Sequence, residues 1–158
     1  MSVVTEIRYV GYAMPDLAAE RSFYRDKWGL LETAGQDGLV YFAAAGSSEP
    51  CVLRLREAGE RRLDVIALAA ASRADVATLH ARALAAGCRE IFAPRALQGP
   101  GGGYGSRFFS PDGLPFELSC EVAPGPARTV GALEAVPLRI SHIVLHSPNH
   151  HAAVKFFT

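Results

Sequence analysis

Residues 7–25 read IRYVGYAMPDLAAERSFYR and residues 140–158 read ISHIVLHSPNHHAAVKFFT, and the two align without a gap. Ile7 falls on Ile140, Val10 on Ile143, Pro15 on Pro148, Asp16 on Asn149, Ala19 on Ala152 and Phe23 on Phe156. A weaker copy begins at Leu63, LDVIALAAASRADVATLH. All three copies follow one plan: an apolar or alternating run, a turn residue that caps, then an amphipathic helix. In the first copy, Ile7, Tyr9 and Gly11 alternate with Arg8, Val10 and Tyr12, as on a strand with two unlike faces. Pro15 stops the strand, and Asp16 is placed to accept from the free amides of the first helical turn. Leu17, Tyr24 and Trp28 share one helical stripe, and Gly29 suits a left-handed stop. In the second copy Ser72 and Asp75 form a capping box; Val76, Leu79, Ala83 and Ala86 make the buried stripe, and Gly87 ends it.

Short strands follow each complete helix. Strand character lies near 31–33, 38–44 and 51–56, separated by Gly35-Gln36-Asp37-Gly38 and by Gly46-Ser47-Ser48-Glu49-Pro50. It returns near 91–97, 106–110 and 115–121, the last two runs joined by the turn Ser110-Pro111-Asp112-Gly113. Each unit is thus strand, helix and three strands, and the fold class is α+β. The expected organisation is a domain over 1–122, made of βαβββ modules 6–56 and 62–121. A linker rich in Ala, Pro and Gly follows at 123–137. The first strand and helix of a truncated second domain occupy 138–158.

Composition narrows the function classes. Of 158 residues, 49% are hydrophobic and 20% charged, the balance of a soluble globular protein. Sixteen basic residues offset sixteen acidic ones, so no basic face invites nucleic acid or an anionic membrane. Glu6 and Arg8 precede any apolar run, which argues against a signal peptide. Cys51, Cys88 and Cys120 lack CxxC or zinc-type spacing and read as small core residues of a reducing cytosol. The expected location is cytoplasmic.

The repeat, with FSPDGLPFEL at 109–118 and RISHIVLHSP at 139–148, resembles the vicinal oxygen chelate superfamily of glyoxalase I, bleomycin-resistance proteins and extradiol catechol dioxygenases. The resemblance implies paired modules that form a cupped, half-open barrel. A module's first and last strands each donate a metal ligand into that cup. Modules, linker and third copy resemble the 2,3-dihydroxybiphenyl-type two-domain dioxygenases, whose first domain carries no metal and whose second holds Fe(II) through two histidines and a glutamate. On that pattern His142 is the first metal ligand of the intact enzyme, an aromatic diol and O2 are its substrates, and the protein is a homo-oligomer. This stretch alone holds no complete active site. His142 aligns with Tyr9 and Val65, so no metal is expected in residues 1–122. Two other readings compete: a metal-free ligand-binding module of the bleomycin-resistance type, and a glyoxalase- or epimerase-like metalloenzyme.

The remaining candidates read as structural. Glu117 stands where a ligand glutamate often sits, but a strand glutamate with a polar partner or facing solvent is the reading preferred. His146, His150 and His151 straddle a strand end and a helix start. His80 is a helix-flank histidine without an acid at matching spacing. The run from Gly99 to Gly105 lacks the Gly-Lys-Ser/Thr ending of a phosphate loop. No cysteine has a histidine at nucleophile spacing. Arg54, Arg61 and Arg62 read as a solvated patch.

Overall fold

The computed structural model describes residues 4–36 and 38–158; Asp37, in the expected 35–38 turn, lies outside the described residues. The first module comprises β1 (Val4–Met14), α1 (Leu17–Asp26), β2 (Leu31–Gln36), β3 (Leu39–Ala43) and β4 (Leu53–Glu57). The second comprises β5 (Arg62–Ala70), α2 (Arg73–Ala85), β6 (Arg89–Ala96), β7 (Tyr104–Phe109) and β8 (Pro115–Cys120). The eight strands form one mixed sheet in the order β2-β3-β4-β1-β5-β8-β7-β6. Each module pairs its first and last strands in parallel, and the modules join through antiparallel β1 and β5.

The caps form as the sequence predicts. The Asp16 carboxylate accepts from the Ala19 amide at 2.9 Å, and the Ser72 hydroxyl accepts from the Asp75 amide at 3.1 Å. Gly29 and Gly87 take positive φ just beyond their helices. Two core clusters lie on the helix side of the sheet. Leu17 and Tyr24 of α1 pack on Met14, Phe42, Leu53 and Leu55, whereas Val76 and Ala83 of α2 pack on Ile66, Phe108, Phe116 and Leu118. Val10 pairs with Ile66, so both modules turn their helix-facing residues to the same side. The opposite side is the concave face. All three cysteines are buried and free, and no described helix is long and apolar enough to cross a membrane.

Several expectations need correction. Trp28 lies past the end of α1 and is 50% exposed, and Ala86 is exposed beyond α2. His80 fills the vacant stripe position instead: it is buried, and its Nε2 lies 2.8 Å from Glu90 Oε2 on β6. The acid partner comes from another element, which sequence spacing within a helix cannot show.

The expected strand over 139–146 does not form. Only the helix of the third copy appears, as α3 (His150–Phe157), capped by the Asn149 side chain accepting from Ala152. β1 and β5 each obtain a parallel neighbour from their own module's last strand, and no third-copy counterpart of that strand lies within the chain. The segment keeps its apolar alternation without a ladder: Ile143, Leu145 and Phe156 pack against the second-module core. Ser147 Oγ donates to Asp112 Oδ2 at 2.5 Å, tying this segment to the β7–β8 turn. The expected linker is also anchored, with Gly125 N donating to Ser48 O at 2.8 Å and Arg128 N to Ala45 O at 2.9 Å.

Candidate functional site

The concave face is built one cross-strand row at a time. Tyr9 on β1 pairs with Ala67 on β5, Ala67 with Glu117 on β8, and Glu117 with Arg107 on β7. Side chains in such a row share one face. Because Ala67 is small, the Tyr9 phenol can reach across β5: its hydroxyl donates to Glu117 Oε1 at 3.1 Å. Arg107 Nε donates to Glu117 Oε2 at 2.8 Å, and its Nη2 donates to the Tyr9 hydroxyl at 3.2 Å. The three side chains close a triangle around a carboxylate whose residue is 3% exposed. Burial raises the Tyr9 pKa well above that of an ordinary phenol, and the Glu117 charge adds to this. Tyr9 is therefore a neutral donor, not a phenolate ligand.

The next row explains Gly11, which pairs with Arg54 on one side and Val65 on the other. A Cβ on Gly11 would stand 2.6 Å from Val65 Cγ1 and 3.2 Å from Arg54 Nε, so glycine makes room for the guanidinium. Arg54 is 6% exposed and pairs with Asp64, which Arg56 also holds. Burial pushes the Asp64 carboxyl up, but the hydrogen bonds and charges of Arg56 and Arg54 outweigh it and leave it below the usual range. Arg54 is thus a buried wall of the concave face, correcting its reading as solvated; Arg61 and Arg62 do pair on the surface.

Together these residues border a cavity of about 520 Å³, closed at the rim by Glu49, Phe92, Arg95 and the 97–102 loop. Arg8 Nη1 donates to both Glu49 oxygens, at 2.8 and 2.9 Å. The glycine run is a loop over 99–103, as expected, but its last two residues, Tyr104 and Gly105, open β7; the loop part also walls the cavity. Cys51 lies in the wall, but burial pushes its thiol up to about 12, so it is no thiolate nucleophile near neutral pH.

The metal-ligand positions implied by the resemblance lie on the first and last strands of each module, β1 and β4, β5 and β8. Gly11 pairs with Arg54 as Ala67 pairs with Glu117, so Arg54 and Glu117 hold equivalent places on the two last strands. The first strands contribute Tyr9 and Val65. One carboxylate, already engaged by Arg107, faces a phenol, a valine and a cation. This set does not fit a divalent metal, because a guanidinium opposes one and valine offers no lone pair. No group of three His, Cys, Asp or Glu suited to a metal occurs among the described residues. His142 is exposed in the segment before α3, its Nδ1 3.0 Å from Ser141 Oγ. His150 and His151 stand in the first turn of α3.

Glu117 has polar partners, as preferred, but it is buried, not facing solvent. Arg107 was not singled out from sequence. A two-residue turn closing 110 on 113 would set it opposite Phe116; the hairpin instead closes at Ser110 and Leu114, with Gly113 at positive φ, and this extra residue brings Arg107 opposite Glu117 as an opposite-charge cross-strand pair.

Comparison with solved structures extends the reading. The chain superposes on the Mn(II)-bound glyoxalase from Novosphingobium aromaticivorans with a TM-score of 0.97 and 55% identity, covering 99% of this chain and 52% of that one. The homoprotocatechuate 2,3-dioxygenase from Arthrobacter globiformis matches with a TM-score of 0.68 and 26% identity over 77% of this chain and 37% of that one. The 2,3-dioxygenase LapB from Pseudomonas sp. KL28 shares the fold, with a TM-score of 0.81 at 23% identity over 99% of this chain and 58% of that one. No family model and no curated protein matches. The chain belongs to the vicinal oxygen chelate superfamily, and its structural neighbours are glyoxalase and extradiol-dioxygenase-type proteins. It spans about half the length of the first two structures it matches.

Proposed function

We propose that this chain is the metal-free first part of a superfamily metalloenzyme, and that the intact protein is an extradiol dioxygenase opening a catechol-type ring with O2 and Fe(II). The observation that carries this reading is the Tyr9–Arg107–Glu117 triangle. It engages with a guanidinium the one carboxylate among the four ligand-type positions, and the other three are a phenol, Arg54 and Val65, so this reading assigns metal chemistry elsewhere. The third copy supplies a candidate, because His142 falls at the repeat position of Tyr9. The greater length of the matched structures supports further modules beyond this stretch. In this reading residues 1–122 serve as scaffold and oligomer contact.

A second reading is favoured by a specific finding, the 55% identity to a glyoxalase crystallised with Mn(II). One experiment separates the two. The full-length protein, prepared anaerobically and loaded with Fe(II) or Mn(II), is given catechols under O2 and, separately, methylglyoxal with a thiol. The proposal predicts O2 uptake and ring-opened product only with the catechols. Turnover of the methylglyoxal adduct without O2 uptake would replace it with the glyoxalase reading.

A further inference from the structure

Among the described residues, the concave cavity carries more positive charge than its carboxylates neutralise. Four described arginines line it, Arg8, Arg54, Arg95 and Arg107, against two described carboxylates, Glu49 and Glu117. Asp64, behind Arg54, is shared with Arg56. Three buried donors on this wall have no partner among the described residues: Arg8 Nε, Arg54 Nε and Ser119 Oγ. Among the described residues Arg54 bonds only through Nη2 and Arg107 only through Nε and Nη2, so each keeps further guanidinium N–H groups for a ligand. Buried donors that lack acceptors are costly, and in a low-dielectric recess their partial charges add to the field in the cavity whether or not a ligand touches them. The walls are also aromatic: Tyr9, Tyr41 and Phe92 line the space, and the Arg95 guanidinium lies 4.1 Å from the Phe92 ring centroid. The volume of about 520 Å³ falls in the range of small-molecule sites.

We infer that this cavity is a binding site for a small aromatic carboxylate, its charge held by Arg54 and Arg95 and its ring set among Phe92, Tyr41 and Tyr9. The site rests on the reading that these two modules hold no metal, and it does not depend on which reaction the intact protein performs. No covalent step is involved. The triangle at its floor fixes Arg107, and the rim of Glu49 and the glycine loop restricts entry to small ligands.

The test is calorimetric titration of the full protein with benzoate, with its neutral isostere benzamide, and with inorganic phosphate. Benzoate is expected to bind at least about ten-fold more tightly than benzamide, since a charge-assisted hydrogen bond accounts for a factor of that order, and more tightly than phosphate, which has charge but no ring to set among Phe92, Tyr41 and Tyr9. Arg56→Gln serves as the control, because Arg56 also holds Asp64 but does not line the cavity. Arg54→Gln should lose benzoate binding about ten-fold or more while Arg56→Gln keeps it. Should Arg54→Gln not fold, Arg95→Ala, on an exposed side chain, is expected to weaken benzoate several-fold and leave the thermal midpoint unchanged. The inference is overturned by any of three results: no benzoate binding at millimolar concentration, equal affinity for benzamide or phosphate, or equal loss in the two Asp64-partner variants.

Discussion

Arg107 decides what the concave face is. Among the described residues its guanidinium is the only cation bonded to Glu117, and with Tyr9 it satisfies both oxygens of that buried carboxylate. Removing one partner of such a pair strands a charge away from water. Arg107→Ala should therefore destabilise the fold by roughly 3–5 kcal/mol, read from urea unfolding. Tyr9→Phe keeps the ion pair and loses hydrogen bonds to charged groups, so its cost should be smaller, about 1.5–3 kcal/mol. A larger loss for Tyr9→Phe than for Arg107→Ala would show that the phenol, not the guanidinium, holds Glu117. Cys51 gives a pH prediction at the same scale. Burial raises its thiol from the ordinary 9.0 to about 12. Across that window the folded state keeps a proton that the unfolded chain releases, so this contribution to stability is intact below pH 9 and declines as pH rises toward 12. Wild type should lose stability across this window faster than Cys51→Ala, with parallel behaviour below pH 9. Equal slopes from pH 9 to 12 would contradict a protonated buried thiol.

The helices and hairpins were largely legible because their signals are local. Asp16, Ser72, Gly29 and Gly87 act within a few residues of where they stand, and the 110–113 turn sets its own hairpin register. The cup was not legible to the same degree. Alternation marks Arg54 as opposite in face to Leu53 and Leu55, and on a flat sheet that face would be solvated. Curvature closes it over, so the polar side is buried as well. The 139–146 segment failed for the converse reason: its pattern is that of a strand, but a strand requires a neighbour. The remaining helix, α3, has no buried residue, whereas α2 buries Val76, His80 and Ala83. Eight residues do not sustain a helix alone. Amides of α3 should accordingly exchange with deuterium far faster than those of α2, and Asn149→Ala should speed them further by removing the cap. Equal protection in the two helices would mean that the third copy is docked more firmly than its exposure indicates.

At the scale of the molecule, one design is used in different ways. Two modules share a sheet order and a helix face, yet their four ligand-type positions carry Tyr9, Arg54, Val65 and Glu117. The same architecture that can gather lone pairs around a metal here gathers donors around a carboxylate, and the cavity charge follows from that exchange. On the function proposed above, metal binding falls to the third copy, with His142 in the repeat position of Tyr9. The most direct measurement is metal content of the full-length protein, by elemental analysis after loading and desalting, for wild type, His142→Ala and Glu117→Gln. The predicted result is a metal equivalent in wild type and in Glu117→Gln, and loss of most of it in His142→Ala, since removing a protein ligand weakens a three-ligand site severely. Full metal in His142→Ala together with loss in Glu117→Gln would contradict the account and return the metal to the cup of the first two modules.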